Sequence, residues 1–276
     1  MDGEPRPVKP RHRYEPRKMI DTHCHLTFPE LFGRLDEVLA AAAGAGVERM
    51  ITIGTTLADA RIAREIAESR ASVYFAAGVH PHYGPNVAAH ELPHIAELAA
   101  HPRCVAFGEM GLDYHYDDPP RKAQHEMFAA QLEVVRYSEL PRPIIVHCRK
   151  AVDDTLAIIR GSGLPGERFV FHCFTEPSEQ VRKVLDVGAM VSFTGIVTYK
   201  NAPEVRESAK LVPADRIMVE TDAPYLTPEP HRKIRPNEPR YITATARFLA
   251  ELRDVEHERF TGQIDANARR FFFAGR

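Results

Sequence analysis

The chain has 276 residues, of which 44% are hydrophobic and 27% are charged, so it has the composition of a globular protein with a sizeable core. The formal net charge of -2 excludes a uniformly basic surface, and any contact with nucleic acid must therefore rely on a local basic patch. No apolar run reaches the length of about 18 residues that a membrane-spanning helix needs, so we expect no membrane partner.

Residues 1–18 form the first segment, and they contain four prolines and six arginines or lysines. This combination predicts a disordered, mildly basic arm, because it offers few apolar side chains for a core. The N-terminus also lacks the apolar stretch of a secretory signal. We therefore predict one folded domain over residues 19–276, preceded by the arm.

From Met19 onward, short runs rich in β-forming residues alternate with amphipathic stretches. The runs predict strands at residues 18–22, 49–53, 73–78, 105–108, 143–147, 169–172, 190–193 and 217–220. The amphipathic stretches predict helices at residues 35–45, 57–69, 91–100, 121–139, 152–160, 177–186, 203–211, 239–253 and 256–270. Pro177 and Pro203 suit the first turn of their helices, where the N–H that proline lacks has no helical partner.

The alternation of strands and helices predicts a parallel sheet, because parallel neighbours need a crossover connection. Eight such units in about 250 residues match an α/β fold of the (β/α)8 TIM-barrel type, built as a single domain. An open doubly wound sheet is the alternative. It loses support because no glycine-rich nucleotide-binding loop follows a predicted strand.

Histidines and carboxylates occur at the positions where the predicted strands end. His23 and His25 share one face of an extended strand because side chains alternate, and Cys24 points the other way. The later strand ends add His80, His82, Glu109, Asp113, His147, His172, Glu220 and Asp222. In a barrel these ends meet at one rim, which is where the active sites of such folds lie.

Four imidazoles and two carboxylates at one rim can hold one or two divalent metal ions. Glu109 is placed to bridge two ions, and Asp222 is a candidate metal ligand and general base for an attacking water. Imidazole suits Zn²⁺, whereas carboxylate and water suit Mg²⁺ or Mn²⁺, so the sequence leaves the metal open. Glu220 has the alternative role of orienting a histidine, and Asp113 that of ending a turn.

Further side chains near the same rim are candidates for binding substrate. His80 and His82 border a proline turn, so they contact substrate or hold the loop. Arg149 can bind phosphate with two parallel hydrogen bonds or pair with an acid. The loop after the eighth strand adds three basic side chains, Arg232, Lys233 and Arg235. They are either solvated or a phosphate clamp, and their position on the rim favours the clamp.

The four cysteines form no Cys-x-x-Cys pair, and three of them adjoin a histidine at a predicted strand end. Alternation turns those thiols away from the histidines, so we interpret them as small buried side chains rather than zinc ligands. Such cysteines suit a reducing compartment, and we predict a cytoplasmic location.

Taken together, the motifs resemble the TatD-like metal-dependent hydrolases of the amidohydrolase group. The matching segments, in the order of that family between Met19 and Phe271, are Asp-Thr-His-Cys-His, Gly-Val-His-Pro-His, Gly-Glu-Met-Gly-Leu-Asp-Tyr, Val-His-Cys-Arg, Phe-His-Cys-Phe, Glu-Thr-Asp-Ala-Pro-Tyr-Leu and Asn-Glu-Pro. The resemblance implies a (β/α)8 barrel, and several members of the family act as deoxyribonucleases. It also implies six metal ligands: His23, His25, Glu109, His147, His172 and Asp222.

Two positions qualify the resemblance. The loop before Asn237 has Lys-Ile-Arg-Pro where the family commonly has a Gly-Lys-Arg-like sequence, so the placement of its basic side chains stays open. Glu109 occupies the position at which related amidohydrolases often carry a carbamylated lysine. This argues against the urease-like and dihydroorotase-like branches.

Three functions are compatible with these residues. The first is hydrolysis of DNA phosphodiester bonds, from an end, by a metal-activated water. The second is hydrolysis of another ester, such as the aminoacyl bond of a tRNA that carries a D-amino acid, an activity also associated with the family. The third is metal or nucleic-acid binding without turnover. We favour the first because Arg149 and the basic loop accompany the ligand rim, and we place the third last because the full ligand series plus a candidate base is more than binding requires.

Overall fold

The computed structural model describes residues 18–275, so the predicted arm lies outside the described residues except for Lys18. Eight strands occur in the described part: β1 (Met19–Cys24), β2 (Val47–Gly54), β3 (Val73–Ala77), β4 (Cys104–Asp113), β5 (Ile144–Arg149), β6 (Phe169–Phe171), β7 (Met190–Phe193) and β8 (Ile217–Val219). Each coincides with one predicted strand. They pair in sequence order, and every pair is parallel.

The sheet closes on itself where the chain leaving β8 meets β1. Cys24 and Ala223 form a parallel bridge there. The amide of His25 donates to the carbonyl of Ala223 at 2.7 Å, and the amide of Asp222 donates to the carbonyl of His23 at 2.9 Å. This junction and the strand order confirm the predicted (β/α)8 barrel and exclude the open doubly wound sheet.

Ten α-helices occur among the described residues: α1 (Pro29–Phe32), α2 (Leu35–Gly44), α3 (Leu57–Ser69), α4 (Pro93–Ala99), α5 (Arg121–Ser138), α6 (Val152–Ser162), α7 (Ser178–Asp186), α8 (Pro203–Leu211), α9 (Ile242–Leu252) and α10 (His257–Phe272). The four-residue α1 was not predicted. Pro203 lies in the first turn of α8 as predicted, whereas Pro177 precedes α7 as its N-cap.

Two predicted helices begin later than expected. The one predicted at residues 91–100 is a 3-10 turn, Ala89–Glu91, followed by α4, and the one at 239–253 is a 3-10 turn, Pro239–Tyr241, followed by α9. Pro93 lies in the first turn of α4. Proline suits that turn because the N–H that it lacks would have no partner within the helix.

Strand β4 extends to Asp113, although the prediction ended it at Gly108. Gly108 and Gly111 have φ angles of 123° and 148°, which glycine adopts without a steric penalty. A side-chain carbon at Gly111 would collide with the carbonyl oxygen of His147 on the neighbouring strand. The glycines therefore let β4 continue closely beside β5, and they carry Glu109 and Asp113 inside a strand.

Side chains of all eight strands form one apolar cluster, which includes Ile20, Ile51, Ala76, Val105, Ile145, Val170, Met190 and Met218. Because alternate residues of a barrel strand face inward, a cluster that draws on every strand fills the barrel interior. Phe272 and Phe273 join it from the C-terminal end of α10. A second, larger cluster packs the helices on the outside of the strands. Within residues 18–275, no helix is both long enough and apolar enough to cross a membrane.

Candidate metal centre

Glu109 lies at the centre of the side chains that converge at the rim of the barrel. It is 2% exposed, and its Oε2 lies 2.9 Å from Nε2 of His172, 3.5 Å from Nδ1 of His147 and 3.8 Å from Nε2 of His23. Its other oxygen, Oε1, lies 3.8 Å from Nε2 of His25. One carboxylate therefore faces four imidazoles, two from the end of β1, one from β5 and one directly after β6.

Asp222 approaches the same group from the β8–β1 junction. Its Oδ1 lies 3.2 Å from Nε2 of His25 and 3.6 Å from Nε2 of His23. Three sets of potential ligands have their donor atoms within 4.8 Å of one another: His23, His172 and Asp222; His23, His25 and Glu109; and His80, Glu109 and His147. The six ligands implied by the family resemblance all belong to these sets, and Glu109 belongs to two of them.

The donor set fits a divalent metal ion. Both ring nitrogens of the buried His23 lack a hydrogen-bond partner among the described residues, and such buried polar atoms are costly unless something satisfies them. Burial lowers the pKa of His23, so its ring is neutral, the form that binds metal. Burial raises the pKa of Glu109, but the charge of His172 and the hydrogen bonds from His147 and His172 outweigh it and hold the pKa well below its usual range. Glu109 is therefore ionised.

Glu220 supports His172 from behind. Its Oε1 lies 3.3 Å from Nδ1 of His172 and accepts a hydrogen bond from the amide of Cys173 at 2.7 Å, while Oε2 accepts one from Ser192. Nδ1 of His172 therefore faces Glu220, and its Nε2 faces Glu109. Glu220 is absent from the three ligand sets in the described residues, so the geometry favours its alternative role of orienting a histidine.

Asp113 supports His147 in the same manner. Its Oδ2 lies 3.0 Å from Nε2 of His147 and 3.3 Å from Nε2 of His82, and Oδ1 accepts from the amide of His115 at 2.8 Å. This leaves Nδ1 of His147 facing Glu109. The sequence interpretation placed Asp113 among the residues of the rim, with ending a turn as its alternative role, and did not predict that it orients a histidine. The available signal was its spacing, since residues 109 and 113 share one face of a strand.

A cavity of about 720 Å³ opens above this cluster. Four of the substrate-binding candidates line it, namely His80, His82, Arg149 and Arg235, together with Glu109, Asp113, Asp222 and most of the histidines already described. Arg232 and Lys233 are not among the residues that line it. The guanidinium of Arg232 lies instead over the ring of Tyr199, at 3.8 Å from its centroid. Of the three basic residues in that loop, the structure therefore brings Arg235 to the site.

Two cysteines, Cys148 and Cys173, also line the cavity, but none of the four belongs to a ligand set in the described residues. Burial raises the pKa of the Cys148 thiol to about 12 and that of Cys173 well above its usual value. Without metal, both are therefore thiols rather than thiolates.

The site without metal holds protons that a metal ion must displace. Burial lowers the pKa of His147 and of His172, but the neighbouring carboxylates outweigh burial and raise both values, His172 well above its usual range. Because metal binds the unprotonated imidazole, we expect the affinity to increase with pH, by about tenfold per unit for each proton displaced. Calorimetric titration of the chelator-treated protein with Mn²⁺ between about pH 6 and 8 checks this, and an affinity that falls with pH contradicts it.

A family comparison matches this arrangement. The model of the family described as TatD related DNase matches residues 20–273. The chain belongs to the TatD family. This confirms the resemblance seen in the motifs and makes the protein a metal-dependent hydrolase.

Individual TatD relatives extend over nearly the whole chain. A metal-dependent hydrolase of Escherichia coli named YcfH, itself described as uncharacterized, is 39% identical over 92% of this chain and 95% of its own length. A protein of Klebsiella pneumoniae named 3'-5' ssDNA/RNA exonuclease TatD is 36% identical over 92% of this chain and 97% of its own. The crystal structure of a TatD homolog from Escherichia coli superposes with a TM-score of 0.86 at 28% identity, covering 92% of this chain and 97% of that one.

Proposed function

We propose that this TatD-family protein hydrolyses phosphodiester bonds of DNA at a centre of one or two divalent metal ions, Mg²⁺, Mn²⁺ or Zn²⁺. The observation that carries the proposal is that Glu109 belongs to two sets of ligand atoms and also lines an open cavity. A carboxylate shared between two sites is what bridging of two ions requires. The proposed ligands are His23, His25, Glu109, His147, His172 and Asp222.

The side chains of the cavity have separate tasks in this reaction. Metal ions held by these six ligands would polarise the phosphodiester and activate a water molecule. Asp222, whose Oδ1 lies 3.2 Å from His25, takes the proton of the attacking water. Arg149 and Arg235 line the cavity and have no ion-pair partner among residues 18–275, so their guanidinium groups are available to phosphate oxygens.

The substrate class follows from these unpaired cations and from the exonuclease name of the Klebsiella relative. Nucleic acid is therefore the proposed partner, with attack from a strand end. Membership of a hydrolase family argues against binding without turnover. Deacylation of a D-aminoacyl-tRNA needs the same activated water and is kept as an outcome of the test. The cytoplasmic location stays a prediction.

The test compares two esters in parallel. The purified protein, loaded with Mg²⁺, Mn²⁺ or Zn²⁺, is incubated with end-labelled DNA and with D-aminoacyl-tRNA, with and without EDTA. We expect stepwise shortening of the DNA from one end, and complete loss of cleavage with EDTA. Faster release of the amino acid than of nucleotides would overturn the DNA proposal in favour of the aminoacyl ester. Cleavage that survives the double substitution Glu109→Ala and His147→Ala would remove this site from the reaction.

A further inference from the structure

The candidate ligands His23, His25 and Asp222 lie where the barrel closes between β8 and β1. Every other pair of neighbouring strands is joined by at least two paired positions, whereas the described residues show one isolated bridge at this junction, Cys24–Ala223. The ladder between strands normally fixes how they lie beside each other. Because the ladder is so short at this junction, other contacts must help to hold the ligands on its two sides in place.

Asp21 makes such contacts across the junction. Its side chain is fully buried, and Oδ1 accepts hydrogen bonds from the amide of Thr221 at 3.0 Å and from the amide of His23 at 3.4 Å. The other oxygen, Oδ2, accepts one from the hydroxyl of Thr221 at 2.6 Å. No ion pair among residues 18–275 includes Asp21. An acidic side chain that is buried without a cation is costly, and the hydrogen bonds that offset this cost connect the two segments that carry ligands.

The backbone of Asp222 depends on support from its neighbours. Its φ angle is 54°, a left-handed conformation that few residues other than glycine adopt and that the surroundings must therefore maintain. The hydroxyl of Thr221 accepts a hydrogen bond from the amide of Ala223 at 3.2 Å, and Asn237 donates to the carbonyl of Thr221 at 3.0 Å. Through the amide and the hydroxyl of Thr221, Asp21 therefore holds the backbone on both sides of Asp222.

We propose that Asp21 is a positioning residue for the metal centre, and that its hydrogen bonds to Thr221 set the distance between Asp222 and the two histidines at the end of β1. The inference rests on the proposed function of the same site. Oδ1 of Asp222 lies 3.2 Å from Nε2 of His25 and 3.6 Å from Nε2 of His23. Distances between a metal ion and its ligands vary by only about 0.2 Å, so a small shift of the turn is enough to weaken binding.

Metal binding by the chelator-treated protein tests this role without relying on activity. Asp21→Ala and Thr221→Val remove the two sides of one contact, and each should weaken Mn²⁺ binding about 10- to 100-fold. Because both act through that contact, the double variant should bind Mn²⁺ about as weakly as the more affected single variant. Asp21→Asn keeps an acceptor oxygen and should fall between the wild type and Asp21→Ala. Thr221→Val nearly keeps the shape of its side chain, so it tests the same contact if Asp21→Ala does not fold.

Asn267→Ala is the matched control for the loss of a buried side chain that forms hydrogen bonds. Asn267 is fully buried on α10 and donates to the carbonyls of Ala214 and Ile217, both at 2.8 Å, at the opposite end of β8. Its removal should lower the melting temperature and leave the Mn²⁺ affinity unchanged. In nitrogen-15 spectra of the metal-free proteins, the imidazole signals of His25 should shift in Asp21→Ala but not in Asn267→Ala.

The outcomes separate this inference from the proposed function. Wild-type Mn²⁺ affinity and unshifted His25 signals in a folded Asp21→Ala or Thr221→Val protein would overturn the role of Asp21, whether or not DNA is cleaved. Additive losses in the double variant, or an equal loss of affinity in Asn267→Ala, would overturn it as well. Variants that show the expected effects, together with a wild type that cleaves no DNA, would support the role of Asp21 and refute the proposed hydrolysis of DNA.

Discussion

Replacing Glu109 by glutamine is expected to lower kcat/KM for DNA by about a thousandfold. The substitution keeps the size of the side chain but removes the charge that faces four imidazoles, the nearest of them His172 at 2.9 Å. Charge stabilisation at a metal centre is worth several kcal/mol, and each 1.36 kcal/mol corresponds to a factor of ten in rate. The variant should also bind fewer metal ions, because Glu109 belongs to two of the three ligand sets.

The matched control is Glu133→Gln, the same chemical change at an exposed position on α5. It should keep the metal content and the activity of the wild type. Elemental analysis of both variants, together with initial rates on end-labelled DNA, gives the comparison. A Glu109→Gln protein with full metal content and more than about a tenth of the wild-type activity would show that Glu109 is essential neither for metal binding nor for catalysis.

The strands of the barrel could be predicted because each is a short β-rich run bounded by breaking residues, and all eight runs coincide with observed strands. The residues at which the strands end were harder to predict from the sequence. Gly108 looked like a terminator, yet β4 continues through it because glycine accepts the positive φ that the close approach to β5 requires. Sequence reasoning could therefore identify the residues that converge at the rim, but it could not predict which of them lie in contact with one another.

The loop after β8 shows which side-chain positions could not be predicted from the sequence. Arg232, Lys233 and Arg235 are equivalent in sequence terms, because the loop has no periodicity that assigns a direction to a side chain. In the structure Arg232 stacks over Tyr199, while Arg235 lines the cavity. Likewise, only distances distinguish Glu220, which lies 3.3 Å from Nδ1 of His172, from the ligand candidates. Such roles depend on contacts between residues far apart in the chain.

The role of Asp113 also depends on a contact with a residue far away in the chain, and its substitution is expected to have a large effect on metal binding. Burial raises the pKa of Asp113, but the hydrogen bond from His147 outweighs it and leaves the pKa below its usual range, so the group is an anion. An anion at Nε2 fixes which nitrogen of His147 carries the proton, and it leaves Nδ1 with a lone pair for metal. Asp113→Asn should therefore weaken metal binding about 10- to 100-fold.

Asp117→Asn, an exposed position in the loop after β4, is the control and should leave metal affinity unchanged. Metal affinity is measured by competition with a coloured chelator, and nitrogen-15 spectra of the imidazoles report the tautomer of His147. A role in folding alone would lower the melting temperature without shifting that tautomer in the folded protein. If Asp113→Asn keeps both the tautomer and the affinity, Asp113 does not orient His147. If both change together, Asp113 contributes to the metal centre without being a ligand itself. It does so because it determines which nitrogen of His147 carries the proton and which one is free to bind metal.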